Sequence, residues 1–164
     1  MATISGKVWK FGDAIDTDII IPARYLVLPL DEMKHKAMEP IRPEFAKEAG
    51  KGDVIIGGKN FGCGSSREQA PAVLKELGIS AIVAVSFARI FFRNAINLGI
   101  PVVECEDVYD QVQEGDTAEI DFTSGEIRIP DRNKSFSGSK LPDFLLEIIS
   151  DGGLIPHLAS KKSS

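Results

Sequence analysis

The sequence predicts an α/β fold: a mixed sheet with a parallel strand–helix–strand core and an added antiparallel hairpin. Three observations carry that expectation. Residues 53–57 and 80–86 are short, apolar and rich in Val and Ile without alternation, as parallel strands buried on both faces are. Helical patterns follow each of them and stop at Gly78 and Gly99. Further on, Thr117–Phe122 and Glu126–Ile129 alternate and flank Thr123-Ser124-Gly125, the pattern of a hairpin.

In chain order, Lys7-Val8-Trp9-Lys10-Phe11 alternates and reads as a half-buried strand ended by Gly12-Asp13. Asp16-Thr17-Asp18 reads as a side-chain-capped turn. Ile19-Ile20-Ile21 before Pro22 predicts a buried, extended segment. Val27-Leu28-Pro29-Leu30 is apolar but interrupted by proline, so it is expected as a loop packed on the body or lining an interface or pocket. A short helix is expected over Pro43–Ala49, closed by Gly50.

The strand at 53–57 leads into Gly57-Gly58-Lys59-Asn60-Phe61-Gly62-Cys63-Gly64, and a helix is expected from about Ser66 to Leu77. Strand 80–86 precedes a helix over Phe87–Leu98, with Phe87, Ile90, Phe91, Ala95 and Leu98 on one face, and Ile100–Val103 forms the next strand. Consecutive parallel strands of this kind require right-handed crossovers. A last helix, Leu141–Ser150, ends at Gly152-Gly153, and Leu154–Leu158 packs back ahead of an unstructured tail from about residue 159. Residues 1–164 are expected to form one domain.

Composition excludes several function classes. The chain has 164 residues, enough for one core, and its 24 acidic against 19 basic residues give a net charge of −5. No clustered Lys/Arg face suggests nucleic acid as a partner. No apolar run approaches the roughly 18 residues that cross a membrane, and the first residues lack the pattern of a signal peptide. Cys63 and Cys105, with His35 and His157, are too few and too scattered for a self-contained zinc or iron–sulfur site. A reduced, cytoplasmic protein is the economical expectation, with both histidines at the surface or in loops.

Chemistry concentrates in the glycine loop. Gly62 and Gly64 allow backbone conformations closed to other residues, and Ser65-Ser66-Arg67 adds two hydroxyls and a planar cation where a helix begins. A bound carboxylate or phosphate is expected there. The same residues fit a capping box, with Ser65 as N-cap and Glu68 as its partner. Pro71 disturbs that arrangement, so either the first turn is kinked or the regular helix starts closer to Pro71. Neither a nucleophile elbow nor a P-loop is present. A serine alkoxide acting as base needs neighbouring N–H groups and Arg67 to stabilise its charge.

Gly62-x-Gly64-Ser65-Ser66-Arg67-Glu68, followed by Ser86-Phe87-Ala88-Arg89-Ile90-Phe91, resembles the swivel domain of the aconitase superfamily. With Asp16-Thr17-Asp18-Ile19-Ile20-Ile21-Pro22-Ala23-Arg24-Tyr25-Leu26, the chain is similar throughout to the separate small subunits of 3-isopropylmalate dehydratase and homoaconitase. The resemblance implies an aconitase-like swivel (β/β/α) fold and a hydro-lyase active only with a large subunit carrying a [4Fe–4S] cluster. No cofactor is implied in this chain. It implies Ser65 as the base that removes a carbon-bound proton, and Ser66 and Arg67 as ligands of a substrate carboxylate. The substrate would be a small 2-hydroxy diacid, with 2- and 3-isopropylmalate of leucine biosynthesis expected first.

In this family the loop after Tyr-Leu selects the substrate, here Tyr25-Leu26-Val27-Leu28-Pro29. Val27 and Leu28 suit an isopropyl group, whereas an arginine would pair with the extra carboxylate of homoaconitate. Core or subunit-interface packing is the other use of these two residues. Asp16 and Asp18 either stabilise the turn or support the site, and Cys63 reads as a small packing residue. Arg89, Arg93 and Asn94 are expected on a solvated or interface face. Gln69 stands where many relatives carry histidine, so no role of that histidine transfers. The remaining alternatives are a related hydro-lyase acting on homoaconitate, methylmalate or dimethylmalate, and a non-catalytic anion-binding domain.

Overall fold

The computed structural model describes residues 3–162. Fifteen helices and strands follow in order: β1 (Thr3–Lys10), α1 (Thr17–Ile20), α2 (Leu30–Met33), α3 (Pro43–Glu48), β2 (Val54–Gly57), α4 (Gln69–Glu76), β3 (Ala81–Ala84), α5 (Arg89–Asn97), β4 (Val102–Glu104), α6 (Val108–Gln111), β5 (Thr117–Asp121), β6 (Glu126–Ile129), β7 (Lys134–Ser137), α7 (Asp143–Ser150) and α8 (Leu154–Lys162). The strands form one seven-stranded sheet in the order β4-β3-β2-β1-β5-β6-β7. Strands β1 to β4 run parallel and β5 to β7 add to β1 antiparallel, which is the mixed sheet expected.

The two halves of the sheet share β1 in turns. Its first residues pair antiparallel with β5, Thr3 against Asp121 through Lys7 against Thr117, and its last pair parallel with β2, Val8 against Val54 through Lys10 against Ile56. At the changeover Gly6 lies against the Gly52 backbone, where no Cβ would fit. The central strands β2 and β3 are buried along their whole length. Their continuous apolar runs therefore serve two faces at once.

Several local expectations need correction. Ile19 and Ile20 are helical, and only Ile21 is extended (φ −147°, ψ 109°), because the Asp16 carboxylate accepts from Ile19 N–H and caps a turn that β-branching alone would disfavour. The antiparallel part gains β7, a polar edge strand whose Phe136 alone packs inward. Helix α8 runs through Lys162, so the tail expected to be unstructured from residue 159 is helical up to there, and residues 163–164 lie outside the described ones. His157 is buried rather than at the surface, and its Nδ1 lies 2.7 Å from Asp151 Oδ2. No helix among the described residues is long and apolar enough to cross a membrane.

Candidate active site

The glycine loop leaves β2 at the end of the parallel strands where ligand sites of α/β sheets gather. It is held rigidly. Phe61 is fully buried, its ring centroid 5.5 Å from that of Phe91 and 6.0 Å from that of Phe87. Phe61 N–H donates to Ser86 C=O at 3.0 Å, and Gly62 N–H donates to Ile15 C=O at 2.7 Å. Gly62 has φ +83° and faces the Phe91 ring so closely that a side chain would overlap it. Gly64 has φ +102°, and a Cβ there would stand 3.2 Å from Thr17 Oγ1.

The regular helix starts at Gln69, close to Pro71, the second of the two arrangements expected. Glu68 is the N-cap of α4, with no side-chain cap bond, so the capping box from Ser65 to Glu68 does not form. The cause is the left-handed turn at Gly64, which sends the Ser65 side chain toward Thr17. Pro71 becomes the third helical residue, in the first turn, where its missing N–H leaves no bond broken. Ser65, Ser66 and Arg67 consequently occupy an irregular segment ahead of the helix. The backbone N–H groups of Ser66 and Arg67 have no protein acceptor among the described residues.

Two side chains converge on Ser65. Arg67 Nε donates to Ser65 Oγ at 2.9 Å, Thr17 Oγ1 lies 3.2 Å from the same oxygen, and Ser65 N–H donates to Thr17 Oγ1 at 3.1 Å. Arg67 Nη1 donates to Ile21 C=O at 2.8 Å and to Asp18 Oδ1 at 3.3 Å. Its side chain is only 17% exposed. The hydrogens of Nη2 have no partner among the described residues, so one edge of the guanidinium remains for a ligand carboxylate. Asn94 Nδ2 donates to Ser66 C=O at 3.2 Å, so the half-buried Asn94 also supports the loop, beside exposed Arg89 and Arg93.

Both aspartates of the turn act on this assembly. Asp16 caps α1, and Asp18 Oδ1 also accepts from Ala23 N–H at 3.1 Å. Cys63 contributes its carbonyl, which accepts from Thr17 N–H at 2.8 Å. Burial first, then the Asp16 charge, push the Cys63 thiol above its ordinary 9.0, which keeps it protonated. The Tyr25–Pro29 segment starts four residues after Ile21, but none of its side chains bonds Ser65, Ser66 or Arg67 among the described residues. The Tyr25 hydroxyl donates to Glu39, and its ring carries Arg24 on one flank at 4.6 Å and Lys36 at 5.4 Å. Leu26 and Leu28 are half-buried against the core, while Val27 is 89% exposed.

Ser65 and Ser66 stand exposed on an open face. A cavity of about 590 Å³ between α7 and α8, lined by Asp143, Asp151 and His157 among others, shares no residue with them. Among the described residues no group of three or more His, Cys, Asp or Glu could hold a metal ion, and Cys105 is buried elsewhere. An iron–sulfur cluster therefore does not fit the described residues of this chain. Thr17 and Asn94 bond Ser65 and Ser66, contacts that the sequence reading did not anticipate.

Comparison with known proteins places the chain in a family. Residues 34–107 match the model of the aconitase C-terminal domain. The isopropylmalate/citramalate isomerase small subunit of Methanocaldococcus jannaschii is 51% identical over 159 residues, covering 96% of this chain and 95% of the relative. The methanogen homoaconitase small subunit of Methanothermobacter thermautotrophicus is 52% identical over 155 residues, covering 94% and 89%. A crystal structure of 3-isopropylmalate dehydratase from M. jannaschii superposes with a TM-score of 0.92 at 43% identity, over 98% of this chain and 95% of that one. The β/β/α fold, the serine–arginine loop and these likenesses together show that the chain belongs to the 3-isopropylmalate dehydratase small-subunit family of the aconitase superfamily.

Proposed function

We propose that this chain is the small subunit of a cytoplasmic hydro-lyase that interconverts 2-isopropylmalate and 3-isopropylmalate in leucine biosynthesis, together with a large subunit bearing a [4Fe–4S] cluster. The observation that carries the reading is the Arg67 Nε–H bond to Ser65 Oγ at 2.9 Å. A serine oxygen becomes a usable base only where its negative charge is stabilised by fixed donors, and a guanidinium at hydrogen-bond distance is the strongest donor a side chain provides.

Ser65 Oγ, as the alkoxide, takes the proton from the substrate carbon. The C–H electron pair becomes the second bond of the alkene, and the hydroxyl on the adjacent carbon leaves with its bonding pair as hydroxide. It becomes water with a proton from an acid that the large subunit would supply, and rehydration returns that proton to the acid. Rehydration with the positions exchanged returns the proton from Ser65 to carbon. Arg67 Nη2, the Ser66 hydroxyl and the free N–H groups of Ser66 and Arg67 bind a substrate carboxylate. The open face at Ser65 fits a site completed by another chain.

Homoaconitate is the second reading, favoured by the 52% identity of the M. thermautotrophicus relative. Overall identity does not separate the two substrates, and this reading takes Tyr25–Pro29 as the segment that does. Val27 and Leu28 have no charge to set against a third carboxylate and would contact an alkyl group. The test is anaerobic co-expression with the large subunit and assay of 2-isopropylmalate, 2-methylmalate and homoaconitate. The pair should turn over 2-isopropylmalate with the highest kcat/KM and this chain alone should turn over none. Failure to associate, or a preference for the tricarboxylate, would overturn the proposal. In the assembled enzyme Ser65→Ala should remove turnover while substrate still binds.

A further inference from the structure

Thr17 is among the few buried polar residues of the molecule, 2% exposed, and its hydroxyl faces the proposed base. Asp16 fixes it there from one side by capping α1, which makes Thr17 the first helical residue. From the other side Thr17 N–H, left without a partner inside the helix, donates to Cys63 C=O at 2.8 Å. The β-branch stiffens χ1, so the hydroxyl keeps one direction. The close approach of the two segments depends on Gly64, where a Cβ would stand 3.2 Å from Thr17 Oγ1.

Hydrogen-bond bookkeeping then assigns the one hydroxyl hydrogen. Ser65 N–H can only donate, so Thr17 Oγ1 accepts it at 3.1 Å with a lone pair. The remaining polar neighbour of that hydroxyl is Ser65 Oγ at 3.2 Å. An alkoxide at Ser65 has no hydrogen to give, so in that state Thr17 must be the donor. Arg67 Nε–H already points to the same oxygen at 2.9 Å. Two fixed donors, one of them buried, then converge on the atom that bears the charge.

We propose that Thr17 is the positioning residue that sustains the basic form of Ser65, its hydroxyl donating to Ser65 Oγ beside Arg67. The inference rests on Ser65 being the base. No step is added to the reaction: Thr17 keeps its proton throughout, and at Ser65 Oγ only the proton exchanged with the substrate carbon moves.

The experiment uses the assembled two-subunit enzyme with Thr17→Val, which keeps the shape and removes the hydroxyl, Thr17→Ser, which keeps the hydroxyl, and Thr17→Ala. Thr17→Val should lower kcat by about 100-fold with KM nearly unchanged, as loss of one fixed donor to a developing anion does. The limb of the kcat profile that rises with pH should move to higher pH, because the alkoxide is less stable. Thr17→Ser should restore most of kcat and the original profile. Normal kcat with an unshifted profile in Thr17→Val would overturn the proposal. So would failure of both Thr17→Val and Thr17→Ala to assemble, which would leave Thr17 a structural role alone. If Ser65→Ala retains turnover, the reading of the base falls first, whatever Thr17 does.

Discussion

Asp18 Oδ1 binds two things at once: Arg67 Nη1 at 3.3 Å and the N–H of Ala23 at 3.1 Å. One carboxylate oxygen thus ties the Arg67 guanidinium to the segment that leads into Tyr25–Pro29. The Asp18 side chain is 66% exposed, so its ion pair is screened and worth less than about 1 kcal/mol. Asp18→Asn should therefore lower kcat/KM by no more than about fivefold. Asp18→Ala also removes the acceptor of Ala23 N–H and should lower it by roughly tenfold. Steady-state kinetics of the two variants separate the charge from the tether.

Gly62→Ala tests the loop's rigidity. The added methyl would meet the Phe91 ring in a backbone held at φ +83°. The overlap and the left-handed backbone together should destabilise the fold by about 2–4 kcal/mol. Urea denaturation of the isolated chain measures it directly.

Val27→Arg tests substrate choice without disturbing the fold. The side chain is exposed, so stability should change by less than about 0.5 kcal/mol. In the assembled enzyme the ratio of kcat/KM for homoaconitate over 2-isopropylmalate should rise by about 10-fold or more, through pairing with the extra carboxylate. An unchanged ratio would remove Tyr25–Pro29 as the selecting segment.

Asp116 makes stability depend on acid. It accepts from Arg132 Nε at 2.8 Å, from Arg132 Nη2 at 3.2 Å and from Gln113 N–H at 2.8 Å. Arg132 first, then Gln113, hold its carboxyl below the ordinary 3.8, against the opposing pull of burial. A depressed folded-state value means the stabilisation is complete above the ordinary range and disappears as pH falls through the lower value. Asp116→Asn should melt below the wild type at pH 7, and the gap should narrow below about pH 4. Melting curves across that range decide it.

The parallel core was legible because its signals were redundant: apolar runs too short for helices, followed by helical spacing and a glycine at Gly78 and again at Gly99. That Ser65-Ser66-Arg67 lie in an irregular segment ahead of the helix was legible from Pro71. The structure brings Arg67 to Ser65 and Asp18, while Asp16 caps α1. What was hidden depends on contacts distant in sequence or on a single local cap. β7 is a polar edge strand, Lys134-Ser135-Phe136-Ser137, with one apolar side chain to betray it. The helical turn at Ile19–Ile20 goes against β-propensity because one aspartate caps it. Thr17 and Asn94 look like ordinary polar residues until residues 63–66 are folded against them.

The divided pairing of β1 has a consequence for the chain as it is made. Val8–Lys10 can dock on β2 as soon as residue 57 is free, but Thr3–Lys7 wait for Thr117–Asp121. At about 5–20 residues per second that delay lasts several seconds on the ribosome. Throughout it one half of the chain's first strand is a bare edge, open to other nascent chains. Premature termination between β4 and β5 would release a fragment with every strand of the parallel core present and an unsatisfied seam, which makes such incomplete copies adhesive rather than merely inactive.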